Sequence, residues 1–93
     1  MRGATVTRKR FEIEENGHIA YLEFDTEGEG WMTLWHTEVP PAMRGHGVAT
    51  ELAQAAFDYA REHNLRVDVI CPSAAMFLSK HQEYVFNTGK RER

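Results

Sequence analysis

The feature that most constrains the fold is one helical pattern in the middle of the chain, from Gly47 to about His63. Its apolar positions recur every three or four residues, at Val48, Leu52, Ala55, Ala56, Tyr59 and Ala60. The next apolar stretch, Leu65 to Ile70, is short and rich in β-branched residues, which is typical of a buried strand. A strand on each side of this helix would form a right-handed crossover with parallel strands.

The chain before this helix has the pattern of an antiparallel meander. Three strands are predicted, from Thr5 to Glu14, from His18 to Asp25 and from Trp31 to Val39. Asn16-Gly17 is a hairpin signal because both residues tolerate positive φ, and Glu27 to Gly30 marks a second turn. Pro40-Pro41 ends the third strand because proline cannot donate to a β ladder.

A second helix is predicted after the buried strand, capped by Ser73 and running toward His81. With 93 residues, the chain has room for one core, so residues 1–93 are expected to form a single domain. The predicted fold class is therefore α+β: a three-strand antiparallel meander, a β-α-β unit with parallel strands, and a C-terminal helix.

Composition and charge exclude several functional classes. The net charge of -3 and a pI near 5.9 give no basic field, so no nucleic-acid partner is expected. No apolar run approaches the roughly 20 residues that span a bilayer, so no membrane association is expected. Cys71 is the sole cysteine and no His/Cys spacing suggests zinc, which together favour a cytoplasmic protein without disulfide or metal. A monomer is expected.

The loop Arg44-Gly45-His46-Gly47-Val48-Ala49 lies between a predicted strand and the start of the strongest helix. Its two glycines allow close backbone approach to an anion, and the first helical turn presents unpaired N–H groups with a partial positive charge. This context favours a phosphate site that needs no metal. For an isolated Gly-x-Gly, a simple turn into the helix is the more common explanation, so that alternative stays open.

The same loop resembles the Gln/Arg-x-x-Gly-x-Gly/Ala pattern of the GNAT acetyltransferase superfamily, through Arg44, Gly47 and Ala49. Three further segments are similar to the small stand-alone GNAT-like family: His36 to Pro41, Cys71 to Ser73 and His81 to Tyr84. Together they span most of the chain from Trp31 to Tyr84. Gln82 departs from the family's His-Pro-Glu-Tyr signature, which leaves the roles of His81 and Tyr84 open.

The resemblance implies a shortened GNAT fold in which the two parallel strands splay apart and admit the pantetheine arm of coenzyme A. Backbone groups near Val39 would pair with the pantetheine. The pyrophosphate would lie on the loop residues, which are Arg44, Gly45, His46, Gly47, Val48, Ala49 and Thr50. The implied activity is acetyl transfer from acetyl-CoA to an unidentified amine. A coenzyme A-binding module without catalysis is the main alternative, and a structural domain with a vestigial loop is a weaker one.

Two residues are candidates for catalysis. Cys71 ends a parallel strand just before a helix, where ligands gather in open α/β sheets and where a thiolate is favoured. A cysteine at this motif has been proposed as catalytic in the similar family, although free cysteines often simply pack. His36 is a candidate general base for an amine, or a histidine satisfied at the sheet. Glu38 falls on the same strand face and competes for that role.

Overall fold

The computed structural model describes residues 5–7, 9–26 and 29–91. The strands are β1 (Thr5–Thr7), β2 (Arg10–Glu15), β3 (His18–Asp25), β4 (Trp31–Glu38) and β5 (Arg66–Val69). The described residues form two α-helices, α1 (Val48–Glu62) and α2 (Pro72–Lys80), together with 3-10 turns at Pro41–Met43 and Gln82–Asn87. The predicted central helix and the strand that follows it are confirmed within one or two residues at each end.

The strands form one sheet in the order β1-β2-β3-β4-β5. Pairing is antiparallel from β1 to β4, and β4 pairs with β5 in parallel through the crossover helix α1. The predicted class and the β-α-β unit are thus confirmed. The first strand is different from the prediction: Thr5 to Glu14 forms two antiparallel strands, with Thr7 opposite Arg10. Arg8 of the predicted first strand, and Glu27 and Gly28 of the predicted second turn, lie outside the described residues.

The β2–β3 hairpin turns at Asn16-Gly17, as the sequence predicts. Both residues have positive φ, 53° at Asn16 and 81° at Gly17. Only a turn of this hand matches the twist of the two strands, and few residue types adopt it without strain. The turn fixes Glu15 opposite His18 and thereby places Phe11 and Ile13 of β2 on the buried face.

A β-bulge interrupts the pairing of β3 with β4. Glu23 is opposite His36 and Phe24 is opposite Leu34, so Trp35 is the extra residue of β4. Trp35 is 42% exposed and its indole donates to Asp25 Oδ2 at 2.6 Å. From its spacing in the sequence, Trp35 is expected to pack in the core. That expectation is wrong, because the bulge turns the ring out of the core.

Helix α1 covers one face of the sheet and closes the core. It buries Leu52, Ala53, Ala56, Phe57 and Ala60 against the strands. Phe57 also stacks on Phe77 of α2, with ring centroids 5.6 Å apart. Of the helices among the described residues, none is long and apolar enough to cross a membrane.

The start of α2 differs from the prediction. Cys71 is the N-cap, Pro72 occupies the first turn, and no side chain caps the helix. Ser73 lies inside the helix, because the fixed φ of Pro72 already suits the first helical position and moves the start two residues earlier. The cap predicted at Ser73 is therefore wrong.

Tyr84 anchors the segment after α2 to α1. Its hydroxyl donates to Asp58 Oδ1 at 2.7 Å, and the Arg61 guanidinium lies 4.4 Å from the ring centroid. The hydrogen bond to Asp58, and then burial, raise the pKa of Tyr84 above its ordinary value of 10.0. The resemblance left the role of Tyr84 open, and in this chain its side chain makes a structural contact with α1.

Tyr84→Phe should lower the free energy of unfolding by about 1.5 to 3 kcal/mol near neutral pH, because a part-buried hydrogen bond to a carboxylate is lost. The neutral phenol makes this bond, so its contribution is complete below the unfolded pKa and is lost as pH rises through the raised folded pKa. Urea denaturation of both proteins at pH 7 and above pH 10 measures the difference. A gap that stays constant across this range would contradict the assignment.

Candidate functional site

The strands β4 and β5 separate halfway along β4. Their register ends at Leu34 opposite Val69. Beyond this point the backbone N–H groups of Ile70 and Cys71 both donate to the Leu34 carbonyl, each at 3.0 Å, and the chain turns away into α2. β4 continues to Glu38 without β5 beside it. The predicted splay of the parallel strands is therefore present, with β4 on one side of the gap and the start of α2 on the other.

The loop before α1 has the backbone of an anion cradle. Gly45 and Gly47 both have positive φ, 80° and 73°, and a Cβ built at either position would meet nothing within 4 Å. Gly47 is the N-cap of α1 and has no side chain to satisfy the first-turn amides. Those amides and the positive end of the helix dipole point out of the helix toward the loop.

Arg44 crosses this loop. Its Nε donates to the Val39 carbonyl at 3.2 Å, which ties the end of β4 to the start of the cradle. Arg44 is exposed, and its guanidinium forms no ion pair with any residue that the structure describes. The Nη groups therefore remain available to an anion, while the Val39 carbonyl predicted to meet pantetheine already accepts one hydrogen bond.

A pocket of ≈ 170 Å³ lies on the cradle. Seven of the predicted binding residues line it: Val39, Arg44, Gly45, Gly47, Val48, Ala49 and Thr50. The structure thus brings together residues from the end of β4, the loop and the first helical turn. The pocket size is suited to a phosphate-sized group rather than to a whole cofactor.

His46 is the one predicted binding residue whose side chain turns elsewhere. Its Nδ1 lies 3.4 Å from Glu15 Oε1, at the end of β2, and the ring is half-exposed. This contact leads the imidazole toward the β2–β3 hairpin. His46 accordingly does not line the pocket on the cradle.

Cys71 lies at the gap but is buried, with 1% of its surface exposed. Its Sγ is 3.0 Å from Thr37 Oγ1, so the contact joins β4 to the start of α2. Sequence reasoning missed Thr37, because nothing in its neighbours indicates which residue of another element it meets.

His36 lies on the other face of β4. Its Nε2 is 3.3 Å from Glu38 Oε1, and its ring is 6.3 Å from that of Tyr21. The side chains of His36 and Glu38 are 54% and 50% exposed, so the pair is open to solvent. The expectation that both residues share one face is confirmed by this contact.

The two catalytic candidates are on opposite sides of the sheet. Thr37 contacts Cys71 and lies between His36 and Glu38, and neighbouring residues of a strand point to opposite faces. The structure therefore does not bring Cys71 and His36 into one catalytic pair. Among the described residues, no group of three or more His, Cys, Asp or Glu side chains is arranged to hold a metal ion.

The fold, the splayed strands and the glycine cradle define a class of acyltransferase-like domain. Residues 10–86 match the family described as GCN5-related N-acetyl-transferase, and the chain belongs to that family. The predicted resemblance is thereby confirmed.

The individual relatives agree with this assignment. The chain is 42% identical over 66 residues to "Protein NATD1" of Bos taurus. The matched stretch covers 69% of this chain and 58% of that protein. It is 35% identical over 82 residues to "Protein NATD1" of Danio rerio, covering 84% and 74%. The chain thus spans just under three fifths of the bovine protein. A GCN5-like protein of Staphylococcus aureus, solved by NMR, superposes with a TM-score of 0.72 at 26% identity, covering 97% of this chain and 90% of that one.

Proposed function

We propose that this protein binds coenzyme A at the Arg44–Thr50 cradle and transfers an acetyl group from acetyl-CoA to an amine. The observation that carries the proposal is the pair of positive-φ glycines at 45 and 47, placed before the first turn of α1 and next to the gap between β4 and β5. Family membership supports the reaction class.

The cradle supplies enough interaction energy for a diphosphate. Each charge-assisted hydrogen bond contributes about 1.5 to 3 kcal/mol, so three or four amides and Arg44 support binding in the micromolar range. No metal is needed, because the helix dipole and the guanidinium provide the positive charge.

The gap gives the thioester a route from the cradle to the open face. Pantetheine would run from the diphosphate between β4 and the start of α2, past Val39 and Thr37. The thioester carbonyl would then come within reach of groups on the far face of β4. His36 and Glu38 are exposed there, as an acceptor base must be.

The transfer itself is direct in this proposal. The amine nitrogen attacks the thioester carbonyl carbon, a C–N bond forms, and the C–S bond breaks. His36 takes the proton that the amine loses, and Glu38 orients the imidazole through the 3.3 Å contact. The departing coenzyme A thiolate takes up a proton and leaves as the thiol.

A covalent route through Cys71 is less well supported by the geometry. In that route the Cys71 sulfur takes the acetyl group as a thioester and then passes it to the amine. Cys71 is 1% exposed and its sulfur already contacts Thr37, so the sulfur must first become accessible. The same burial is what a module that binds coenzyme A without catalysis would show.

Binding is the first test of the proposal. Coenzyme A at about 100 times its dissociation constant should stabilise the fold by about 2.7 kcal/mol and raise Tm by roughly 10 to 20 °C. Pantetheine without the diphosphate is the matched control and should cause little shift. Amide resonances of residues 39–50 should move with coenzyme A, as NMR titration will show.

Transfer is tested separately, by mass spectrometry of a panel of amines after incubation with acetyl-CoA. Acetylated amine formed faster than in the protein-free control is the expected result. Tight binding with no transfer to any amine would favour the non-catalytic module. No binding at millimolar coenzyme A would overturn both.

A further inference from the structure

The face of the sheet turned away from α1 carries a line of side chains that runs from Arg10 on β2 to His36 on β4. Tyr21 on β3 lies between them. Its ring centroid is 6.3 Å from that of His36, and the two planes meet at 65°, which is an edge-to-face arrangement. The Arg10 guanidinium carbon lies 3.9 Å from the centroid of the Tyr21 ring. The three side chains therefore form one continuous row across three strands.

Strand pairing brings Tyr21 to His36. In the β3–β4 register Tyr21 is opposite Glu38, and Glu23 is opposite His36. Tyr21 is therefore the diagonal neighbour of His36, and aromatic side chains are long enough to meet across such a diagonal. The contact follows from the register of two strands, so the residues next to Tyr21 in the sequence do not indicate it.

Two carboxylates hold the Arg10 guanidinium over the Tyr21 ring. Arg10 Nη1 is 4.0 Å from Glu12 Oε2, and Arg10 Nη2 is 3.7 Å from Glu23 Oε2. The two glutamates belong to different strands, β2 and β3, so the guanidinium is attracted to both and stays between them. A guanidinium over an aromatic face also attracts the ring itself. Tyr21 is thereby less free to rotate than an exposed tyrosine with no such neighbour.

His36 needs a neighbour of this kind because little else holds its ring. The side chain is 54% exposed, and Nε2 lies 3.3 Å from Glu38 Oε1. A carboxylate can only accept a hydrogen bond, so Nε2 is the donor. Nδ1 makes no hydrogen bond with any residue that the structure describes, and it is the atom left to take the proton of an amine. Glu38 is itself half-exposed, so its contact alone does not fix the direction of Nδ1.

We propose that Tyr21 is a positioning residue for His36. The Tyr21 ring, held by Arg10, fixes the rotation of the imidazole and so keeps Nδ1 directed at the incoming amine. The inference rests on the proposed function, because that function gives His36 the role of base. The aromatic ring performs this task and the hydroxyl does not, since the hydroxyl forms no hydrogen bond with any residue in the ranges 5–7, 9–26 and 29–91.

Initial rates of amine acetylation test the assignment. Tyr21→Leu removes the ring and should lower kcat about tenfold, because a misdirected base loses part of the 10² to 10⁴ that a positioned base contributes. Tyr21→Phe retains the ring and should keep most of kcat. The KM for acetyl-CoA and the affinity for coenzyme A should be unchanged in both variants. Ile19→Ala, at an exposed apolar residue on the same face of β3, is the matched control and should keep the full rate.

A double-mutant cycle shows whether Tyr21 acts through His36. Adding Tyr21→Leu to His36→Gln should lower kcat no further, whereas a general effect on the fold would cost the same factor in both backgrounds. NMR supplies a readout that needs no turnover. The ring current of Tyr21 should shift the imidazole protons of His36, and this shift should persist in Tyr21→Phe and disappear in Tyr21→Leu.

Three results would overturn this inference and leave the proposed function intact. They are an unchanged kcat in Tyr21→Leu, an equal loss of kcat in Tyr21→Phe, and an equal loss from Tyr21→Leu in the His36→Gln background. Full activity of His36→Gln alone would instead remove the base from the proposed function, and the positioning role of Tyr21 would fail with it.

Discussion

Gly47→Glu is expected to abolish coenzyme A binding, raising the dissociation constant at least about 100-fold. The new carboxylate would lie at the N-cap of α1, where the diphosphate is proposed to bind, and the loss of two charge-assisted hydrogen bonds costs about 3 kcal/mol or more. A Cβ at Gly47 would meet nothing within 4 Å, so the cost of the substitution to the fold comes from the positive φ of 73° and not from crowding at the Cβ. Calorimetry with coenzyme A measures the change.

Two matched variants separate charge from backbone strain. Gly30 has φ 79° and equally open surroundings but lies at the other end of β4, so Gly30→Glu carries the same strain and charge without touching the cradle. Both substitutions should lower stability by about 1 to 2 kcal/mol, and Gly30→Glu should leave the dissociation constant unchanged. Gly47→Gln should weaken binding less than Gly47→Glu. Equal affinities of the two glutamate variants for coenzyme A would refute diphosphate binding at the cradle.

His36→Gln is expected to lower kcat by about 100-fold or more, because a positioned base contributes about 10² to 10⁴ in rate. Coenzyme A affinity should stay the same, since His36 lies on the far face of β4 from the cradle. Glu38→Gln should cost less, because Glu38 acts through the imidazole. Initial rates of acetylated amine formation and calorimetric affinities, measured on the same preparations, give both quantities.

Cys71 provides the contrasting substitution. Cys71→Ser retains a hydroxyl that can bond to Thr37 and should keep most of the activity if transfer is direct. His63→Gln is the control for histidine loss, since His63 lies at the exposed end of α1. Loss of activity in Cys71→Ser, together with an acetylated protein in mass spectra of the unmodified chain, would establish the covalent route instead.

For the catalytic candidates, the sequence predicts which residues share a strand face but not which face of the sheet that is. Strand alternation predicts that His36 and Glu38 share a face, and their 3.3 Å contact confirms it. Which face they share depends on the bulge at Trp35, and a bulge is defined only by the pairing of β3 with β4. The placement of Cys71 and His36 on opposite sides of the sheet likewise depends on contacts between elements that are far apart in sequence.

At other positions too, features that depend on neighbouring residues were predicted, whereas features that depend on residues distant in sequence were not. Asn16-Gly17 forms the predicted turn because its conformation depends on those two residues alone. The division of Thr5 to Glu14 into two strands reflects pairing of Val6 with Phe11, which no periodicity within the segment indicates. Tyr84 finds Asp58 on another element, at a separation of 26 residues.

The sequence by itself determined the elements whose cause is local: the helical periodicity after Gly47, the glycine conformations of the cradle, and the turns. The tertiary structure alone decided how those elements face one another: the divergence of β4 and β5 at Leu34, the side of the sheet on which His36 lies, the burial of Cys71 beside Thr37, and the contact of Tyr21 with His36. The physical reason is that backbone preference and periodicity are properties of neighbouring residues. Burial, pockets and side-chain pairs require segments that only folding brings together.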